Sequence, residues 1–195
     1  MREEVESNRM ANSFKYLESR QNGCVVWFTG LSGAGKTTIA NKLRDILESK
    51  GIYCYCLDGD SIRKGLCADL GYSEGDRLEN MRRMAEVAHL FADIGYVTLV
   101  SANTPRKYMR ELFKQIVGED VYVEVFVYAK LETCINRDPK GLYVQALDGK
   151  IADFTGISSM YENPDNMSLV LDTEINSIEE NAQKVNNYLK LKKII

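Results

Sequence analysis

The sequence predicts an α/β fold in which a mostly parallel five-stranded sheet lies between two layers of helices. The main observation is an alternation along the chain of short apolar runs with longer segments whose apolar residues recur at helical spacing. This alternation is typical of strand–helix–strand units, whose strands are parallel. The second observation is a glycine-rich turn between the first apolar run and the first helical segment, a place where such folds bind ligands.

Five strands are predicted, at residues 24–29, 52–57, 96–100, 121–128 and 168–171. Helices are predicted at about residues 36–50, 73–94, 105–117, 131–137 and 177–193. Gly51 and Gly95 are expected to end the first two helices. Ser73, with Asp76 three residues later, resembles an N-cap, and Pro105 opens the third helix.

Two further segments are polar and are predicted to lie outside the sheet and its helices. Residues 1–22 are charged and end in a Gln-Asn-Gly stretch, so we predict an N-terminal arm outside a domain of residues 23–195. Residues 138–163 are rich in Gly, Asp and Ser. A loop of that length is often a lid, and we predict one here.

Composition excludes several classes of partner. The chain has 195 residues, which suits one domain, and its net charge of −3 argues against a nucleic-acid partner. No segment approaches the roughly 18 apolar residues that span a bilayer, and no apolar run follows the N-terminus. The five cysteines include no Cys-x-x-Cys pair and are interpreted as reduced core thiols. We expect a cytoplasmic protein without a membrane partner.

The glycine-rich turn fits the Walker A pattern for binding a triphosphate. Its residues, here called the P-loop, are Gly30, Leu31, Ser32, Gly33, Ala34, Gly35, Lys36 and Thr37. The glycines allow backbone N–H groups to surround the phosphates, and the following helix adds its N-terminal partial charge. Lys36 is expected to bridge the β- and γ-phosphates, while Thr37 offers its hydroxyl to Mg²⁺. The pattern predicts a P-loop NTPase-type fold that binds ATP, with Thr38 and Arg137 as further contacts.

The position of the acidic residues favours a small-molecule kinase over other P-loop classes. The chain lacks a GTPase-type Asn-Lys-x-Asp string after a late strand, and the third strand ends without an acid. Two acids, Asp58 and Asp60, follow the second strand instead. Asp60 is our candidate for activating an acceptor hydroxyl, and Asp58 is expected to support Mg²⁺ through water. The alternative is an Asp-Gly turn with a capping acid.

Arginines near the predicted cleft indicate an anionic acceptor. Arg63 follows the acids, and Arg77, Arg82 and Arg83 lie on one predicted helix, with Asn80 on the same face as Arg77. Guanidinium groups suit sulfate and phosphate because they donate bidentate hydrogen bonds. The alternative for the helical arginines is a solvated charged face.

Over residues 23–173 the chain resembles the adenylyl-sulfate kinase family. The matching strings are residues 27–38, 57–60, 69–73, 76–77, 79–80, 82–83, 137–143 and 154–157. The resemblance implies transfer of the ATP γ-phosphate to the 3′-hydroxyl of adenosine 5′-phosphosulfate (APS), a step of sulfate activation. It also implies Mg²⁺ as cofactor, a homodimer, and a functional link to a sulfate adenylyltransferase.

The resemblance also implies individual roles. Asp60 would be the base, and the acceptor contacts would be Asp60, Arg63, Tyr72, Arg77, Asn80, Asn103, Thr104, Lys140 and Phe154. Tyr72 stands where the family usually has a phenylalanine that stacks on adenine. Lys140 and Phe154 would belong to the mobile lid.

The chain departs from the family after the third strand, where Asn103-Thr104-Pro105 replaces the usual Ile-Ser-Pro. That serine has been proposed as a phosphorylated intermediate, and Thr104 keeps a hydroxyl for such a step. Asn103 is polar where the family is apolar, close to the acceptor base. This departure leaves open a kinase for another nucleotide-like acceptor such as cytidine diphosphoramidate. A separate alternative is an inactive nucleotide-binding module, which would require a broken active site, whereas Lys36 and Asp60 are both present.

Overall fold

The computed structural model describes residues 21–165 and 167–195. Most of the predicted arm, residues 1–20, lies outside the described residues. Gln21, which the prediction places in that arm, is joined to the domain. Its side-chain amide donates to the backbone oxygens of Tyr53 (2.8 Å) and Gly95 (2.7 Å) and accepts from the backbone N–H of Tyr53 (2.8 Å).

Five strands and seven helices make up the described chain. The strands are β1 (Cys24–Thr29), β2 (Cys54–Asp58), β3 (Val97–Ser101), β4 (Tyr122–Tyr128) and β5 (Leu169–Asp172). The helices are α1 (Lys36–Glu48), α2 (Gly59–Ile62), α3 (Glu74–Asp93), α4 (Lys107–Val117), α5 (Leu131–Arg137), α6 (Leu142–Leu147) and α7 (Ile178–Leu191). Within the described ranges, no helix is long and apolar enough to cross a bilayer.

All strand pairings are parallel, and the strand order is β2-β3-β1-β4-β5. β1 therefore lies at the centre, between β3 and β4. Because the strands are parallel, their carboxyl ends meet at one edge of the sheet, and the loops after β1, β2 and β3 open there. The predicted five-stranded sheet and its topology class are confirmed.

Alternate residues of β1 point into the two apolar layers that hold the sandwich together. Val26 and Phe28 join the cluster formed with α1 and α7, whereas Val25 and Trp27 join the cluster formed with α3 and α4. Trp27 stacks on Phe113 of α4, with ring centroids 5.1 Å apart. A strand buried on both faces is what the short apolar run in the sequence predicts.

The predicted lid, residues 138–163, contains a helix that the sequence analysis missed. α6 forms because Asp138 supplies carboxylate acceptors for three backbone N–H groups at its start, those of Leu142, Tyr143 and Val144, at 2.9–3.1 Å. Tyr143 is fully buried and packs in the core below the helix. The polar segment is therefore anchored near its N-terminal end and is not a loop throughout.

Candidate active site

The P-loop lies in close contact with β4, and its glycines make this possible. Gly30 has φ +145°, and a Cβ built on it would lie 2.3 Å from the backbone oxygen of Val127. Gly33 has φ +74°, with Cys134 O 3.0 Å from such a Cβ. At Gly30 both the backbone conformation and the space exclude a side chain, whereas at Gly33 the left-handed conformation and a tight contact disfavour one. The loop can then curve over the N-terminus of α1.

Lys36, the first residue of α1, reaches back across the loop. Its Nζ donates to the backbone oxygens of Gly30 (3.0 Å) and Leu31 (2.8 Å). Although part of the side chain is exposed, the ammonium group lies among protein atoms. Burial, followed by the charge of Lys140, lowers the pKa of Lys36 to about 8. An anionic phosphate at the loop would stabilise the charged ammonium form.

Thr37 and Asp58 join the P-loop to the end of β2. The Thr37 hydroxyl donates to Oδ2 of Asp58 at 3.0 Å. The other carboxylate oxygen of Asp58 accepts from the backbone N–H groups of Asp60 (3.1 Å) and Ser61 (3.2 Å), so Asp58 also caps α2. The predicted alternative, a capping acid, thus describes part of what Asp58 does.

These oxygens suit Mg²⁺, which prefers hydroxyl, carboxylate and water oxygens. Among residues 21–165 and 167–195, no group of three or more His, Cys, Asp or Glu side chains is placed to hold a metal ion. Such a donor set fits a cation that arrives with the phosphates of ATP and is held by few protein atoms.

A cleft of about 1490 Å³ opens at the carboxyl edge of the sheet. It is larger than a pocket for one small ligand, which is typically about 300–1,000 Å³. The predicted site residues that line it are Ser32, Gly33, Ala34, Gly35, Lys36, Thr37, Thr38, Asp58, Asp60, Arg63, Tyr72, Arg77, Asn80, Asn103, Arg137, Lys140 and Phe154. The structure thus brings nearly all of the predicted positions together. Gly30, Leu31 and Thr104 are not part of the cleft lining.

Asp60 projects into the cleft from α2 and forms an ion pair with Lys140 of the lid. Both side chains are more than half exposed, so this pair is of the exposed kind, which contributes little to stability. It shows that the lid lysine can reach the candidate base.

Arg63 and Arg77 both contact Tyr72, and all three residues line the cleft. The Arg63 guanidinium lies 4.6 Å from the centre of the Tyr72 ring, and its Nη1 donates to Gly71 O at 2.8 Å. Arg77 donates to the backbone oxygens of Tyr72 (2.7 Å) and Asp153 (2.8 Å). Arg77 therefore bridges the N-terminal end of α3 and the lid, and both arginines line the cleft.

Arg82 and Arg83 do not contribute to this part of the site. Both pair with Glu79, and Arg83 also pairs with Asp69, at 2.7–2.9 Å. Neither lines the cleft. For these two arginines, the alternative of a charged helix face is the one that the structure supports.

Thr104 lies beneath the cleft and not in it. Its side chain is fully buried, and its hydroxyl donates to Oγ1 of Thr29 at 2.6 Å, which in turn lies 2.8 Å from the Tyr161 hydroxyl. The backbone oxygen of Thr104 accepts from Arg110 at 2.7 Å. This geometry argues against the predicted acceptor contact and phosphorylated intermediate, because the hydroxyl is committed to a buried network on the far side of its loop.

Comparisons with known proteins agree with this geometry. The family model described as Adenylylsulphate kinase matches residues 22–172. The chain belongs to this family. A probable adenylyl-sulfate kinase of Halalkalibacterium halodurans is 51% identical over 171 residues, which cover 88% of this chain and 85% of the relative.

Two further relatives extend the likeness. The solved structure of the Mycobacterium tuberculosis APS kinase CysC, in complex with AMPPNP and APS, is 46% identical. It aligns with a TM-score of 0.83, over 87% of this chain and 98% of that one. The bifunctional enzyme NodQ of Rhizobium meliloti is 50% identical over 169 residues, which cover 87% of this chain and 26% of that protein.

In this member of the adenylylsulphate kinase family, residues that were not predicted from the sequence also lie at the cleft or contact the P-loop. The loop between β5 and α7 lines the cleft, and Arg137 donates to the hydroxyl and the backbone oxygen of Thr173, both at 2.9 Å. Tyr143 donates to Ser32 O at 3.0 Å, which ties α6 to the P-loop. Thr173 follows a predicted strand, and parallel strands place the residues after them at one edge of the sheet. Its position at the cleft could therefore have been predicted.

Proposed function

We propose that this protein transfers the γ-phosphoryl group of ATP to the 3′-hydroxyl of APS, giving ADP and 3′-phosphoadenosine 5′-phosphosulfate. One observation carries the proposal: a single cleft holds a phosphate-binding P-loop, the carboxylate of Asp60, and the two arginines Arg63 and Arg77. Its volume suits two nucleotides bound together. The family to which the chain belongs supports the same reaction.

Phosphoryl transfer in this cleft needs positioning more than covalent chemistry. Lys36 and the P-loop N–H groups would hold the β- and γ-phosphates and offset the negative charge that develops there. Asp60 would accept a hydrogen bond from the 3′-hydroxyl and take its proton as the new O–P bond forms. The bond between the γ-phosphorus and the bridging oxygen breaks, and ADP leaves.

Mg²⁺ would be held by the hydroxyl of Thr37 and, through water, by Asp58. When bound, the ion would neutralise phosphate charge and fix the geometry of the triphosphate. Thr37 and Asp58 already approach to 3.0 Å, so the two side chains stand on the same side of the P-loop.

The acceptor would bind at the far side of Asp60 from Lys36. Arg63 and Arg77 suit its sulfate and phosphate oxygens, because guanidinium groups bind such anions bidentately. Tyr72, which is 71% exposed, offers a free ring face for stacking on the base. Phe154 offers a second ring from the lid, and Lys140 would move from Asp60 to an acceptor oxygen when the hydroxyl arrives.

We also propose that the catalytic domain comprises residues 23–195, with residues 138–163 as a lid, and that the enzyme is a cytoplasmic homodimer. The five cysteines are free thiols, which suits a reducing compartment. A functional link to a sulfate adenylyltransferase follows from the chemistry, because APS has to be supplied by such a reaction. Light scattering of the purified protein would test the dimer.

The direct test is turnover with ATP, Mg²⁺ and APS, followed by release of ADP and identification of the product by mass. Wild-type protein should turn over, and Asp60→Asn should lose at least about a hundredfold in kcat, the usual scale for a general base. A matched control is Asp69→Asn, which changes an acid outside the cleft. Turnover of a cytosine-containing acceptor but not APS would contradict the proposal, and so would an absence of any kinase activity.

A further inference from the structure

Asn103 lies in the loop after β3, at the carboxyl edge of the sheet, and lines the cleft. Its Oδ1 atom is buried and has no hydrogen-bond partner. Within the described part of the chain, none of the hydrogen bonds involves the Asn103 side chain. A buried polar atom without a partner costs free energy, and a ligand that supplies the partner recovers it.

Two other cleft asparagines differ from Asn103 in how their amides are used. Asn80 and Asn181 also have a buried Oδ1 without a partner. The Asn80 amide nitrogen, however, donates to the Met84 sulfur at 3.7 Å, and that of Asn181 donates to two backbone oxygens at 3.1 and 3.2 Å. Asn103 is thus the described cleft asparagine whose side-chain oxygen and nitrogen both lack a hydrogen-bond partner within the described chain.

The loop that carries Asn103 is fixed from below. The next residue, Thr104, is held through its hydroxyl by Thr29 (2.6 Å) and through its backbone oxygen by Arg110 (2.7 Å). Arg110 also donates to Glu162 O at 2.8 Å. Because its neighbour is fixed at two atoms, the backbone that carries the Asn103 side chain is held in place, as a recognition group needs to be.

We propose that Asn103 selects the acceptor base by pairing its amide with an exocyclic amino group and the adjacent ring nitrogen. The inference rests on the proposed function and adds to it the residue that distinguishes one acceptor base from another. An asparagine amide is complementary to adenine at these two positions, since its oxygen accepts from the amino group and its nitrogen donates to the ring. A purine that lacks the amino group leaves Oδ1 unpaired, and such a site rejects it.

The other cleft residues near the acceptor do not make this distinction. Tyr72 and Phe154 offer ring faces, and a ring face stacks on any base. Met81 adds an apolar contact. Selection for an amino group needs a side chain with both a donor and an acceptor, and Asn103 is such a side chain.

The experiment compares two acceptors: APS, and the 5′-phosphosulfate of purine riboside, which carries hydrogen in place of the amino group. Wild type should prefer APS by about tenfold in kcat/KM, the scale of one hydrogen bond to a buried group. Asn103→Leu, which is close to asparagine in shape, should bring that ratio to about one. Asn187→Leu, the same change on an exposed face of α7, is the control and should keep the wild-type ratio.

Asn103→Ala serves as a second variant, because it removes the amide without adding bulk, and its ratio should also fall to about one. A wild-type ratio near one overturns the inference, as does a preference that both Asn103 variants retain. These outcomes leave turnover of APS by wild type intact. If wild type does not phosphorylate APS at all, the proposed function is wrong and the inference with it.

Discussion

Lys36, the proposed contact to the phosphates of ATP, carries an ammonium group that holds its proton less tightly than it would in water. Burial is the main cause, the charge of Lys140 adds to it, and the resulting pKa is about 8. Below that pH the lysine is charged before ATP binds. Above it, the lysine is neutral in the free protein and has to take up a proton when the phosphates arrive.

We predict that the affinity for ATP falls as the pH rises through about 8, and that binding at pH 9 is accompanied by proton uptake. Calorimetry in two buffers of different ionisation enthalpy at pH 7 and pH 9 measures this uptake. Lys36→Arg keeps its charge at both values and should show less uptake at pH 9. If wild type and Lys36→Arg take up equal numbers of protons at pH 9, the proton is bound by a group other than Lys36.

Thr104 makes a second prediction at this scale. Thr104→Val removes a hydroxyl that the structure places in a buried network with Thr29 and Tyr161. We expect kcat to stay within about threefold of wild type and stability to fall by about 1 kcal/mol, the net contribution of one hydrogen bond. Urea unfolding and steady-state assays measure the two quantities. If the Thr104→Val protein folds but is inactive, the hypothesis of a phosphorylated intermediate at Thr104 regains support.

The placement of single residues was predictable from sequence where a motif or a strand end fixes their position, as for Lys36 and Asp60, which both line the cleft. The environment of Thr104 was not, because it depends on contacts with Thr29, 75 positions away, and with the end of the lid. A hydroxyl next to a predicted strand end looks the same in sequence whether it faces a cleft or a core.

At the scale of elements, the long ones were predictable because they repeat a pattern. The bounds of β1 and α5 agree with the prediction, and those of the other predicted strands and helices differ by a few residues. The two missed helices, α2 and α6, have four and six residues. Such short helices show no periodicity. They form because Asp58 and Asp138 cap them, and an acid before a polar stretch also fits a turn.

The Arg110 side chain on α4 contacts β4, the loop before α4 and the end of the lid, so its removal should weaken the packing of all of them. Its side chain is 4% exposed, its Nε lies 3.2 Å from a carboxylate oxygen of Glu124 on β4, and it donates to backbone oxygens before α4 and at the end of the lid. We predict that Arg110→Met costs about 3 kcal/mol, because it leaves Glu124 buried without its cation. Urea unfolding measures the loss.

The matched control for this prediction is the double variant Arg110→Met with Glu124→Gln, which removes the uncompensated charge. It should recover part of the lost stability. The recovery should be incomplete, since two backbone oxygens remain without their donor. A single variant as stable as wild type would show that solvent reaches Glu124 after the change.

For the whole molecule, the parallel sheet explains why distant segments meet in one cleft. Residues from the loops after β1, β2, β3 and β5 all line it, although they span most of the chain. The topology rule for such sheets allowed the phosphate side and the candidate base to be predicted together. It could not give the lid its shape, because residues 138–163 follow no strand and depend on tertiary contacts.

Ligands that fill the cleft should stabilise the whole domain, since they bind the folded state only. We predict that ADP with Mg²⁺ at a hundred times its Kd adds about 2.7 kcal/mol, which raises Tm by roughly 5–10 °C. Asp60→Asn should show a similar rise, because the proposal assigns Asp60 to the acceptor and not to ADP. Thermal unfolding measures both. If ADP with Mg²⁺ raises the Tm of wild type but not that of Asp60→Asn, Asp60 belongs to the ATP-binding part of the cleft.

The contact between Asp60 and Lys140 bears on the hydrolysis of ATP when no acceptor is bound. A kinase that binds ATP before its acceptor risks passing the phosphoryl group to water, because water is small enough to reach any exposed base. The Lys140 ammonium occupies one oxygen of the Asp60 carboxylate, so a water molecule has fewer ways to approach that carboxylate. An anionic acceptor can draw the lysine away with its own negative charge, and water carries none.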